Sequence, residues 1–101
     1  MARYLMLALN GASAKPDDEA AYDQWYRDVH IPDLLSVPEV RTARRYKTVH
    51  SSTDWKYVAA YEIETDDLAA TTQTMRAAMR PSDPALDKGE AGQILAIEIG
   101  D

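Results

Sequence analysis

Tyr4 to Leu9 is an unbroken apolar run closed by Asn10-Gly11. That pattern predicts a strand buried on both faces. After a loop to Pro16, Asp17 and Asp18 open a helix, since acidic residues favour its positive N-terminal end. Ala21, Tyr22, Trp25, Tyr26 and Val29 fall on one side of it at 3.6 residues per turn, with Asp23, Gln24 and Arg27 opposite. His30 falls at the edge of the stripe. Pro32 cannot donate to the carbonyl of Asp28, so a kink or break is predicted near Ile31. Leu34 and Leu35 then form a short further turn, stopped by Pro38.

Val40 to His50 alternates, with Val40, Thr42, Arg44, Tyr46, Thr48 and His50 on one face and Arg41, Ala43, Arg45, Lys47 and Val49 on the other. This predicts a strand with charge on both sides. Trp55 to Glu64 is the next, with Trp55, Tyr57, Ala59, Tyr61 and Ile63 on one face, and the short connection makes the pair antiparallel. Thr65 is placed to cap a second helix that carries Leu68, Thr72, Met75 and Met79 on one side. It ends in Arg76 and Arg80 before Pro81. A loop from Ser82 to Gly92 leads to a last strand, Gln93 to Ile99. The order β-α-β-β-α-β predicts a ferredoxin-like α+β fold with a four-stranded antiparallel sheet, in one domain spanning 1–101. Two helices cover only one face of such a sheet, yet the first and last strands and the Tyr57–Tyr61 stretch are apolar on both faces. The open face is expected to pair with a second copy of the chain, giving a homodimer through the sheet.

Composition narrows the partners. The 101 residues carry a formal charge of -6 and no cysteine. An acidic chain is a poor match for nucleic acid or an anionic membrane. Without cysteine there is neither a disulfide nor a thiolate metal site, which fits a reducing, cytoplasmic setting. Arg3, the apolar run and Ala12-Ser13-Ala14 imitate a signal peptide, but the run is too short and Asn10-Gly11 interrupts it. No run reaches membrane-spanning length. The two histidines are far apart in sequence, no glycine-rich phosphate loop occurs, and no metal or other cofactor is expected.

His30 is the main chemical candidate, because it titrates near neutrality and sits beside a helix break that can aim it between helix and sheet. A surface or capping histidine is the bland alternative. Tyr26 and Tyr22 lie on the inward stripe, where they could position an aromatic substrate or hydrogen-bond an enolate oxygen. As core residues with polar tips they would do neither, and Trp25 reads as packing against a substrate or the core. Arg44 and Tyr46 share a strand face that Tyr61 could share across the hairpin. An arginine there could bind a carboxylate or phenolate, or simply pair with Glu62 or Glu64. Which face meets the helices is not set by the pattern, so Arg45 stays an alternative. His50 is expected to be exposed, and Asp83 and Asp87 to be solvated.

The segment Trp25-Tyr26-Arg27-Asp28-Val29-His30-Ile31-Pro32-Asp33-Leu34-Leu35-Ser36-Val37-Pro38, followed by Ala43-Arg44-Arg45-Tyr46, resembles the EthD-like branch of the dimeric α/β-barrel superfamily. Tyr61 to Leu68 and Asp83-Pro84-Ala85-Leu86-Asp87 look like small bacterial proteins of that branch. Where relatives often have Pro-Gly after the first helix, this chain has Pro38-Glu39. The resemblance implies two sheets packed face to face in a dimer, and a pocket in each subunit between helices and sheet. Members include cofactor-free monooxygenases, polyketide cyclases, isomerases and haem enzymes, so fold alone does not choose a reaction. The resulting expectation is a cofactor-free isomerase, cyclase or lyase. It would do proton-transfer chemistry on a small aromatic or polyketide-like molecule, with His30 as acid/base and Tyr26 positioning. A cofactor-independent monooxygenase on phenols, a non-catalytic ligand-binding dimer and a purely structural dimer are the alternatives. A polar cavity holding His30 favours the enzyme, an apolar closed one the binding protein, and a filled one the structural dimer.

Overall fold

A computed structural model describes residues 1–10, 18–52, 55–80 and 92–100. Residues 11–17 and 81–91, with Asp83 and Asp87, lie outside the described residues. The strands are β1 (Ala2–Asn10), β2 (Val40–Lys47), β3 (Tyr57–Thr65) and β4 (Gly92–Ile97), and the helices are α1 (Asp18–Trp25), α2 (Ile31–Leu35) and α3 (Leu68–Ala78). The strands form one sheet in the order β2-β3-β1-β4, each neighbour antiparallel. This is the ferredoxin-like α+β fold that the apolar pattern predicts.

Pairing settles the faces. Met6 lies opposite Tyr61 on one side and Leu95 on the other, and Ala8 lies opposite Ala59. These residues point towards the helices, where Met6, Ala59, Tyr61 and Ile63 join Tyr22, Trp25, Tyr26, Leu34 and Met75 in the core. Leu5, Leu7, Ala60 and Ala96 point to the other, uncovered face. In β2, Ala43 and Arg45 pair with Tyr61 and Ala59 and so face the helices, whereas Thr42, Arg44 and Tyr46 pair with Glu62, Ala60 and Val58 on the open face. Simple alternation puts Val40 beside Arg44. Instead an irregularity between Val40 and Thr42 brings Val40 opposite Ile63, buried on the helix side. A bulge inserts one extra residue and reverses the facing of everything beyond it.

The break expected before Pro32 does not occur. Helical structure runs from Asp18 to Leu35, but it widens into a π turn over Tyr26–His30. The Ile31 amide donates to the carbonyl of Tyr26, five residues back. The wider turn sits where the proline ring would clash with an α-helical carbonyl, and Pro32 itself occupies the first turn of α2, where no donor is needed. It also resets the helix phase. In a plain α-helix, residues four apart drift by roughly 40° per step. With a π turn inserted, Tyr22, Tyr26, His30 and Leu34 stay on the inner side, while Ala21 is exposed. The stripe edge predicted for His30 thus becomes an inward position.

Strand and helix ends also move. β2 stops at Lys47, with His50 exposed beyond it, and β3 starts at Tyr57 rather than Trp55. Thr65 belongs to β3, paired with Ala2, and the cap of α3 is Asp67, whose carboxylate accepts from the Ala70 amide at 3.0 Å. Thr65 supports that turn from below, its hydroxyl receiving bonds from the Asp67 amide and the Thr71 hydroxyl. α3 ends at Ala78 because the Arg80 amide and guanidinium both go to Asp33 of α2, at 2.8–3.1 Å. This clamp ties the end of α3 to α2. No helix among the described residues is long and apolar enough to cross a membrane.

Candidate functional site

A cleft of about 760 Å³ opens between α3 and the helix-side face of the sheet. Its floor is Met6, Ala8 and Tyr61, with Gln93 and Leu95 from β4. His30 and Leu34 close one end. α3 supplies a wall of Leu68, Ala69, Thr72, Met75 and Arg76, spaced at helical intervals along one face, and its C-cap Met79 continues that wall. The helices do not fully cover the β4 end, so Leu95 stays 42% exposed although Met6 opposite it is only 7% exposed. The cleft is therefore open and mainly apolar, with polar groups at a few fixed points.

His30 is held by aromatic rings. Its imidazole stacks on Trp25 at 4.7 Å between centroids and meets the edges of Tyr26 at 5.1 Å and Tyr61 at 6.5 Å. The Nδ1 atom is buried with no hydrogen-bond partner among the described residues. Burial lowers the pKa of His30 below its usual 6.5, against a smaller opposing pull from the Asp33 carboxylate. A neutral imidazole, able to accept a proton, is thus the form present at pH 7. The Tyr61 hydroxyl is likewise buried and unpartnered among the described residues. Burial raises its pKa, so it stays protonated and can only serve as a neutral donor or acceptor.

A second polar cluster fills the other end of the same face. Asn10 donates to the Tyr26 hydroxyl at 2.6 Å, and the Tyr22 hydroxyl donates to the Asn10 side-chain oxygen. The Arg45 guanidinium lies over the rings of Tyr26, Tyr22 and Tyr57 at 4.8–5.5 Å and bonds Asp23 at 2.8 Å. Burial pushes the Tyr22 and Tyr26 hydroxyls up, so both remain neutral. This arrangement is a satisfied structural network. It holds the back of Tyr26, and through that ring the imidazole of His30.

The sequence-derived candidates therefore separate into three places. His30 and Tyr61 meet in the cleft, with Trp25 and Tyr26 packed behind the imidazole. Tyr22 and Arg45 belong to the Asn10 cluster. Arg44 and Tyr46 lie on the open face of the sheet, over a depression of about 710 Å³ that also holds Leu5, Leu7 and Glu62. There Thr42 bonds Glu62 at 2.9 Å. The α3 wall and Gln93 were not among the candidates. The signal for the wall was present in the sequence, since Leu68, Thr72, Met75 and Met79 form a stripe with Arg76 beside it. Among the described residues, no three His, Cys, Asp or Glu side chains gather closely enough to hold a metal ion.

No protein-family model and no curated protein matches the chain. Solved structures do. A DABB family protein with a ferredoxin-like fold from Mesorhizobium loti superposes with a TM-score of 0.67 at 14% identity, over 99% of this chain and 100% of its own. An ethyl tert-butyl ether D (EthD) family protein from Bacillus halodurans gives 0.55 at 15% identity, over 98% and 100%. A dimeric ferredoxin-like protein from Thermobifida fusca gives 0.58 at 14%, over 96% and 90%. These likenesses show the ferredoxin-like fold. At such identities they speak for the fold, and the chemistry has to be argued from the cleft.

Proposed function

We propose that this chain is a small-molecule enzyme that uses His30 as an acid/base on an aromatic or polyketide-like substrate bound in the α3 cleft, catalysing an isomerisation, cyclisation or lyase cleavage. One observation carries the reading: a neutral, half-buried imidazole lines a cleft large enough for a ligand, and its buried Nδ1 has no partner among the described residues. Leaving a buried polar atom unpaired costs about 1–3 kcal/mol. Such a cost is tolerated where a ligand or water supplies the bond. In this mechanism His30 removes a proton from a carbon or hydroxyl of the substrate. The Tyr61 hydroxyl donates to the oxygen that gains charge. His30, now protonated, returns the proton at the new position. Trp25 and Tyr26 fix the plane of the imidazole, and the Met and Leu side chains of α3 and β4 exclude water from the reacting end.

The protein in this reading is a homodimer joined through the open sheet face. Leu5, Ile94 and Tyr46 are 41%, 48% and 51% exposed there. Arg3 and Arg44 share that face with Glu62, Glu64 and Glu98. A face with both signs of charge around apolar residues can match itself across a two-fold axis.

The test begins with native mass spectrometry of the purified protein to identify a co-purified small molecule. Its conversion is then measured with wild type and His30→Gln. The expected result is turnover by wild type and a loss of about 10²–10⁴ in rate for His30→Gln, with binding retained. Undiminished turnover by the variant overturns the acid/base role. Binding by wild type without conversion identifies a ligand-binding protein instead.

A further inference from the structure

We infer that the substrate of this cleft is an organic acid, its apolar body lying along Met75, Met79 and Leu95 and its carboxylate held by Arg76 at the mouth. The inference rests on the reading of the cleft as the working site, and it adds the substrate's charge. Arg76 is the one cation among the described lining residues, and no Asp or Glu is among them, in a chain with 17 acidic residues. With no acid among the described lining residues, in a protein of net charge -6, an anion meets little repulsion from this wall and floor. The other arginines within reach of this face are committed. Arg80 is clamped to Asp33 and Arg45 to Asp23. The Arg76 guanidinium makes no hydrogen bond or ion pair with any described residue, although it stands one turn from Thr72 and three residues before Met79, the C-cap of α3. A guanidinium is also the group best shaped to take a carboxylate through two parallel bonds. The polar ends of the cleft are then complementary: a cation at the open mouth for recognition, and a neutral base with a neutral donor at the buried end for chemistry.

The test compares 2-naphthoic acid with 2-naphthamide, its neutral isostere, by calorimetry and by histidine NMR on the intact protein. The acid is expected to bind about five- to tenfold more tightly than the amide, and both to shift the His30 ring resonances. Arg76→Met should erase the preference for the acid and leave the amide's affinity unchanged, and Arg76→Lys should keep part of it. Arg76 is exposed, so neither variant threatens the fold. Equal affinity for acid and amide, a preference that survives Arg76→Met, or no binding of the acid at millimolar concentration overturns the inference. An amide that binds and shifts His30 without any preference for the acid rejects Arg76 as the recognition group while the His30 reading stands. Failure of both ligands to move His30 rejects that reading separately.

Discussion

At the scale of single residues, His30 and Tyr61 each carry a buried polar atom that finds no partner among the described residues, as Trp25 and Glu39 also do, but His30 and Tyr61 line the cleft. That state predicts a split between stability and function. Tyr61→Phe removes a hydroxyl whose desolvation is uncompensated, so urea unfolding should show an unchanged or slightly more stable protein. The same variant should bind and turn over the ligand less well. A loss of more than about 1 kcal/mol in stability would mean that the hydroxyl has a structural partner. His30 adds a pH dependence whose sign follows from burial. Its folded pKa lies below 6.5, so the unfolded chain takes up a proton first as the solution is acidified. The stability it contributes is complete above pH 6.5 and is lost as the pH falls towards the folded value. Unfolding curves from pH 7 to 5 should therefore fall more steeply for wild type than for His30→Gln. Equal slopes would place His30 in water. Trp25→Ala behaves differently, since the ring is 7% exposed and carries the imidazole stack. It should cost about 3–5 kcal/mol through the cavity it leaves.

At the scale of elements, much was legible because each strand and helix signals itself through local periodicity. Apolar runs, alternation and the 3.6 period depend on neighbours in sequence, and they returned the order and the antiparallel hairpin. Features that depend on hydrogen-bond bookkeeping did not show. The π turn over Tyr26–His30 has no residue code: Pro32 signals only that something must give, not that the helix widens instead of breaking. The bulge at Val40/Thr42 is equally silent, and until the faces are known Arg44 and Arg45 cannot be told apart. The Asn10 cluster was missed for a related reason, since Asn10 reads as a turn residue and its partners lie 12 and 16 residues away. Asn10→Ala should strand the buried hydroxyls of Tyr22 and Tyr26 together. Chemical denaturation should register about 2 kcal/mol or more of lost stability. A neutral outcome would show that the two tyrosines find each other or water in its absence.

At the scale of the whole molecule, the sheet separates two tasks. The α3 cleft is built within one chain on the helix side, and the face proposed to pair with a second copy lies on the other side of the same strands. Leu5 and Met6 are adjacent in β1, yet Leu5 points to the open face and Met6 to the cleft floor. A charge at Leu5 should therefore damage assembly far more than binding. In Leu5→Asp the carboxylate would be buried without a partner at the dimer interface, a cost of several kcal/mol that dissociation avoids. Sedimentation at micromolar concentration should show a dimer for wild type and a monomer for the variant. The melting temperature of wild type should rise with protein concentration, because association stabilises the fold by mass action, and that dependence should vanish in the variant. Where the monomer stays folded, its affinity for 2-naphthoic acid should match wild type, since His30, Tyr61 and Arg76 all line the cleft from one chain. A wild-type monomer would reject the sheet-face dimer. A folded Leu5→Asp monomer that no longer binds would show that the cleft needs the second subunit, and the division of labour between the two faces would have to be abandoned.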